Sequence, residues 1–250
     1  MGISNKDLKN HSESHIHGEK HFLSRFSDYL GEFVYGGIDG SVTTFAVVAG
    51  AAGAELQSSI VIILGFANLI ADGFAMSVGS YLSKKSEIQN YQKHKQIEYW
   101  EVDHLPEKER EEIREIYEAK GFKGELLDQV VDTITADKDR WVDVMMKEEL
   151  EMAEENKSPF AMGFVTFISF LLLGFVPLII YVLDYLVTID KNLFLVSSLL
   201  TGTCFIGIGY LKSLVTHTPK LRSIIETLIL GGAAAVLSYF VGDLLDQIIS

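Results

Sequence analysis

Four side chains in or at the edge of two long apolar runs carry donor groups for a cation: Glu32 at the membrane edge, Asp39 in the first run, and Asp72 and Met76 in the second. A charge near the centre of a bilayer costs at least ~2.5–3.5 kcal/mol, so a carboxylate there faces a protein interior or a wet path. Residues 33–83 read as a hairpin of two stretches, each near the ~20 residues that span a bilayer, turning at Glu55–Ser58. Asn68, Asp72, Met76 and Ser80 recur every four residues and share one helix face. Glu32, Gly36, Asp39 and Thr43, spaced four, three and four, likewise share one face of the first helix. Carboxylate oxygens plus a thioether form a donor set for a divalent transition metal. The plainer reading of Asp39 is a buried carboxylate hydrogen-bonded to a neighbouring helix.

A second constellation lies at residues 84–158. Glu98 and Glu101 are three apart, as are Glu109 and Glu112, and Met145, Met146 and Glu149 occupy neighbouring turns. Spacings of three or four put side chains on one helix face. Three such helices, converging, would surround a metal with oxygen and sulfur, a set that suits Fe²⁺ and Mn²⁺ and favours Fe²⁺ over Mg²⁺ or Ca²⁺. The alternative is a set of solvated acidic helix faces, with Met145 and Met146 filling a core.

The elements that must position these groups follow from segregation of the composition. The chain has 250 residues, 22% of them charged, and a formal net charge of −13. The charge concentrates in 84–158, and apolar runs flank it. An acidic chain of this kind argues against nucleic acid as a partner. One cysteine, Cys204, excludes a disulfide framework and a thiolate cluster. Residues 1–27 form a polar tail with His11, His15, His17 and His21, without the apolar core of a signal peptide. The second apolar helix has no stop signal before Pro106, so it should run on into water. Helices are expected from Pro106 to Gly121, over Glu125–Thr135 and over Lys138–Glu155. Further spans are expected at Phe160–Leu183, Leu193–Leu211 and Ile224–Ile248. The sequence therefore predicts an all-α membrane protein with five transmembrane helices and a cytoplasmic helical insert between helices 2 and 3. Its parts are the tail 1–27, helices 1–2 over 28–86, the insert over 87–157 and helices 3–5 over 158–250. Lys212, Lys220 and Arg222 mark one side and Lys191 alone the other, which puts the N-terminus in the cytoplasm.

These residues resemble the vacuolar iron transporter family over nearly all of the chain after residue 27. The matching stretches are GGIDGSVTTFAVVAGAAGA at 36–54, ADGFAMSVGSYLSKKSE at 71–87, WVDVMMKEEL at 141–150 and SPFAMGFVTFISFLLLGFVPL at 158–178. The resemblance implies a homodimer with a pathway between the two first helices. It implies proton-coupled export of Fe²⁺, often with Mn²⁺, as transported ions with no permanently bound cofactor. Asp39 and Met76 would be membrane metal ligands, with Glu32 near the entrance. Glu98, Glu101, Glu109, Glu112, Met145 and Glu149 would form the insert's metal site, with Met146 as an addition. Two positions depart from the family pattern. Ser80 stands where many members have Glu, and Asp72 where plant members have a small residue, so the second helix's carboxylate has moved along the helix. The membrane is that of a bacterial cell or a vacuole. Gly36, Gly37, Gly40 and Gly50 keep the first helix thin, as close packing in a dimer would require.

Two other functions use the same residues. A membrane-attached ferroxidase would need Glu-x-x-His twice, and the insert has it once, Glu101 to His104. A sensing or storage protein would keep the insert ligands and not need Asp39 and Met76.

Overall fold

The computed structural model describes residues 28–187, 189 and 192–249. The histidines of the N-terminal tail and Lys191 lie outside the described residues. The described chain is helical: α1 (Leu30–Gly53), α2 (Ser58–His104), α3 (Pro106–Ala119), α4 (Gly124–Thr135), α5 (Lys138–Glu148), α6 (Pro159–Gly174), α7 (Ile179–Leu186), α8 (Leu193–Thr216) and α9 (Lys220–Ile249). Five helices are long and apolar enough to cross a bilayer: α1, α2, the α6–α7 pair, α8 and α9. The chain divides into two compact units. Residues to Ser80 and from Phe160 make one, and Tyr81–Pro159 the other.

In the first unit α1 packs against α8 and α9, which also pack on each other. Its core gathers Phe45, Val48, Leu69, Phe170, Leu178, Phe205 and Ile208. Helix contact in a membrane depends on small residues that let backbones approach, and α1 uses its glycines this way within its own chain. A Cβ at Gly40 would stand 2.5 Å from the carbonyl oxygen of Phe170, and one at Gly36 would stand 2.6 Å from that of Thr166. Gly37 faces Leu173 and Gly50 faces Ser238. The glycines expected to thin α1 for a second copy are therefore filled by α6 and α9. Glycine spacing shows that some backbone comes close; it does not say whose. The α6–α7 span breaks at Pro177 through a short 3-10 turn, Val176–Leu178. The Pro177 carbonyl accepts from the buried Ser197 hydroxyl of α8 at 2.7 Å. Neighbouring hydroxyls of this kind make a proline tolerable inside a membrane helix.

In the second unit, chain punctuation sets the helices. α2 has 47 residues, about 70 Å at ~1.5 Å per residue. Its apolar part ends near Leu82, and the rest is polar. Pro106 occupies the first turn of α3, where its missing N–H costs nothing. Gly121, at φ 99°, closes α3 as a left-handed residue, and Phe122 N–H donates back to the Tyr117 carbonyl at 3.2 Å. Asp137 caps α5 by accepting from the Arg140 N–H at 2.8 Å. α5 ends at Glu148, seven residues before the expected Glu155. Glu151 turns left-handed at φ 51°, and the N–H groups of Leu150 and Met152 reach back to the carbonyls of Met145 and Met146. Only Gly and Asn announce such a turn in a sequence, and a Glu does not. Arg110 and Arg114, one turn apart on α3, pair with Asp132 and Asp128 on α4. Lys138 and Asp139 at the head of α5 bond Asp103 and Tyr99 of α2 at 2.6 and 2.7 Å. The core beneath holds Ile113, Val131, Trp141, Val142, Met145 and Met146.

Candidate metal centre and membrane carboxylates

The polar end of α2 and the first turns of α3 bring Glu98, Glu101 and Glu109 together, with one oxygen from each within 4.8 Å of the others. Pro106 starts α3 directly after α2, so the spacing of three on α2 meets the first turns of α3. Glu98 is 3% exposed and Glu109 1% exposed. One carboxylate oxygen on each, Oε2, is buried with no hydrogen-bond partner. A buried unpaired carboxylate is costly unless a cation or proton compensates it. The carboxyls respond accordingly. Burial, then Glu149, Glu109, Glu101 and Glu112, push Glu98 up to about 7. Burial, then Glu112, Glu101 and Glu149, push Glu109 up to about 7, with Lys108 opposing. Glu149 is raised by burial, then by Glu112 and Glu101. Five carboxylates thus share one electrostatic field. Lys108, itself exposed, answers it through a 2.9 Å pair with half-buried Glu112, and a pair open to solvent on one side is weak. This donor set fits a divalent cation of hard or borderline character.

Met145 and Met146 are completely buried in the apolar core of the unit. Their packing role is thus on view; Glu149, one turn after Met145, joins the carboxylate field. His104 does not join. It is exposed, its ring stacks on Trp100 at 4.4 Å, and its Nδ1 lies 2.8 Å from the Trp100 carbonyl oxygen. Lys84 escaped the sequence reading. It is 6% exposed and pairs with Glu87 at 2.9 Å and Glu155 at 2.8 Å, tying the segment after α5 back to α2. Its place directly after an apolar run was the available signal, but a lysine there also reads as an ordinary membrane-edge residue.

In the membrane unit the two polar stripes meet. The Thr43 hydroxyl donates to the Asp39 carbonyl at 2.9 Å, and Asn68 Nδ2 donates to Thr43 Oγ1 at 3.4 Å. α1 and α2 therefore join at Thr43, one turn beyond Asp39. Asp39, Glu32, Met76 and Ser80 are half-buried, while Asp72 is exposed on the surface of the chain. Met76 packs against the apolar core of the unit. Ser77, beside it, donates to the Gly163 carbonyl at 2.8 Å and holds α2 to α6.

A model of the VIT family matches residues 30–243. Among similar proteins, the "Vacuolar iron transporter" of Toxoplasma gondii is 34% identical over 240 residues, covering 93% of this chain and 79% of that protein. "Vacuolar iron transporter 1" of Oryza sativa is 31% identical over 230 residues, covering 92% and 89%. "Vacuolar iron transporter 1" of Arabidopsis thaliana is 31% identical over 224 residues, covering 89% and 88%.

Proposed function

The chain belongs to the VIT family, and on that premise we propose that it is a multi-pass membrane transporter exporting Fe²⁺ from the cytosol in exchange for protons, with Mn²⁺ as a second cargo. The observation that carries the reading is the pair of acidic side chains in apolar spans, Asp39 half-buried and Asp72 exposed on the protomer. An aspartate facing lipid costs several kcal/mol, so these groups have a use that repays it. An anion there binds a cation and takes a proton when the cation leaves. The exposure of Asp72 also supports a homodimer, in which a second copy and a wet path between the two shield it from lipid.

In this mechanism the insert is cytoplasmic and captures the ion. Glu98, Glu101 and Glu109 supply oxygen ligands, Glu112 and Glu149 deepen the negative field, and Met145 or Met146 adds a thioether. The ion then passes to Glu32, Asp39, Asp72 and Met76, and protons from the far side drive it off. Lys212 near the end of α8 and Lys220 and Arg222 at the start of α9 flank one short loop and support the orientation. A ferroxidase reading loses support because His104 is engaged with Trp100.

Reconstituted protein should load Fe²⁺ into vesicles, faster with an acidic interior than without a pH gradient. Uptake at the rate of protein-free vesicles under both conditions would refute transport. Uptake indifferent to the gradient would refute proton coupling.

A further inference from the structure

We propose that the turn between α8 and α9 is a binding surface for one anionic phospholipid, with its phosphate against Lys220 and Arg222. The turn is three residues, His217 to Pro219, between two membrane-spanning helices. Covalent connection alone therefore holds it near headgroup depth. α8 has 24 residues, about 36 Å at ~1.5 Å per residue, somewhat longer than the ~30 Å hydrocarbon core. Near its end Tyr210 is exposed, and the Lys220 ammonium lies 5.0 Å from the centre of its ring. Tyrosine is a residue of the membrane–water boundary.

Hydroxyl groups pin this turn. The Thr216 hydroxyl donates to the Lys212 carbonyl at 2.9 Å and lies 2.8 Å from the Thr218 hydroxyl, which lies 2.6 Å from that of buried Ser223. His217 adopts the left-handed conformation at φ 51° that ends α8. A surface fixed in advance loses little freedom on binding. Its charge is unbalanced. Glu226 receives both Lys212, at 3.1 Å, and Arg222, at 2.9 Å. Within residues 212–226, three cations against this one carboxylate leave two positive charges. The first backbone N–H groups of α9 add their own partial positive charge.

A general excess of basic residues at a membrane edge needs no site. Here the cations alternate with grease. Leu221, between Lys220 and Arg222, is 70% exposed, and Leu214 and Ile225 are exposed on the facing helix ends. Inorganic phosphate would use the cations and leave these side chains unused. An acyl glycerophosphate with an anionic headgroup uses both.

The test reconstitutes the full-length protein in phosphatidylcholine carrying a minor fraction of phosphatidylglycerol. The protein is then extracted, and the retained lipids are counted by native mass spectrometry. Phosphatidylglycerol should be retained above its bulk share. Lys220→Gln with Arg222→Gln should lower that preference about fivefold per cation removed. Glu226→Gln should raise it, which keeps the test open if the double variant folds poorly. Equal retention by wild type and the double variant would overturn the proposal. So would an equal loss on Lys147→Gln, a change to an exposed cation of the other unit. Displacement of the lipid by inorganic phosphate would mark an anion site without lipid character and would also overturn it.

Discussion

Replacing Glu109 by Gln should stabilise the metal-free insert at about pH 8 and blunt its response to metal. Glu98 and Glu109 have carboxyls raised from 4.5 to about 7 in the folded protein. Their contribution to stability is therefore complete below about 4.5 and is lost as pH rises through about 7. At about pH 8 wild type must hold the Glu109 charge in a site that raises its carboxyl by about 2.5 units. At ~1.36 kcal/mol per unit this costs about 3 kcal/mol. Glutamine keeps the shape and removes the charge. Its amide protons meet a site built of acceptors, and the fit is not ideal, so we discount about 1 kcal/mol. The net gain of about 2 kcal/mol corresponds to a rise in melting temperature on the order of 10 °C for a unit of this size. The assay is direct because both tryptophans of the chain, Trp100 and Trp141, lie in the insert. Their fluorescence in the intact, detergent-solubilised protein reports this unit. Wild type without metal should melt at falling temperature as pH rises from about 4.5 to about 8, and Fe²⁺ or Mn²⁺ should restore it. Glu109→Gln should flatten both responses. A variant no more stable than wild type at about pH 8, or one equally stabilised by metal, would refute the reasoning.

Other expectations follow from the same contacts. Glu98→Ala with Glu101→Ala should weaken metal binding by the intact protein, measured by calorimetry, and should slow Fe²⁺ uptake without abolishing it, because the membrane carboxylates remain. Gly40→Ala places a Cβ 2.5 Å from the Phe170 carbonyl oxygen and 2.9 Å from its Cα; the backbones must part, and a loss of about 1–3 kcal/mol is expected. That loss should appear as a lower melting temperature of the protomer itself, whatever its state of assembly. Met76→Leu keeps bulk and removes a soft sulfur, so in vesicles it should reduce Fe²⁺ flux more than Mn²⁺ flux; an equal loss would assign Met76 to packing alone.

Much of this was legible because particular residues punctuate the chain. Pro106 announced the end of α2, and Gly121 announced the end of α3, each through a backbone property visible in the residue type. Segregation of charge separated the apolar spans from the acidic middle. The paired spacings on α2 and at the start of α3 led to Glu98, Glu101 and Glu109, since a helix turn places residues three apart together. Other features left no such mark. The left-handed Glu151 shortens α5 without a glycine to signal it. Gly36 and Gly40 promised a close helix contact, but a single sequence cannot name the partner, and the partner is α6. Nor could spacing tell whether Met145 and Met146 are metal ligands or core fillers, or find the ion pairs that allow Lys84 to be buried. The contact of Asn68 with Thr43 joins two stripes that helical spacing displayed separately.

The central claim is that carboxylates within the membrane carry the ion, and Asp39 is the most direct place to test it. Asp39→Asn preserves size and most hydrogen bonding while removing the charge. The measurement is Fe²⁺ and Mn²⁺ uptake into vesicles of fixed pH gradient, for wild type and variant at matched protein content and matched melting temperature. Loss of both fluxes in a folded variant is the expected result. Uptake by Asp39→Asn at the wild-type rate would contradict the pathway and shift the role to Asp72.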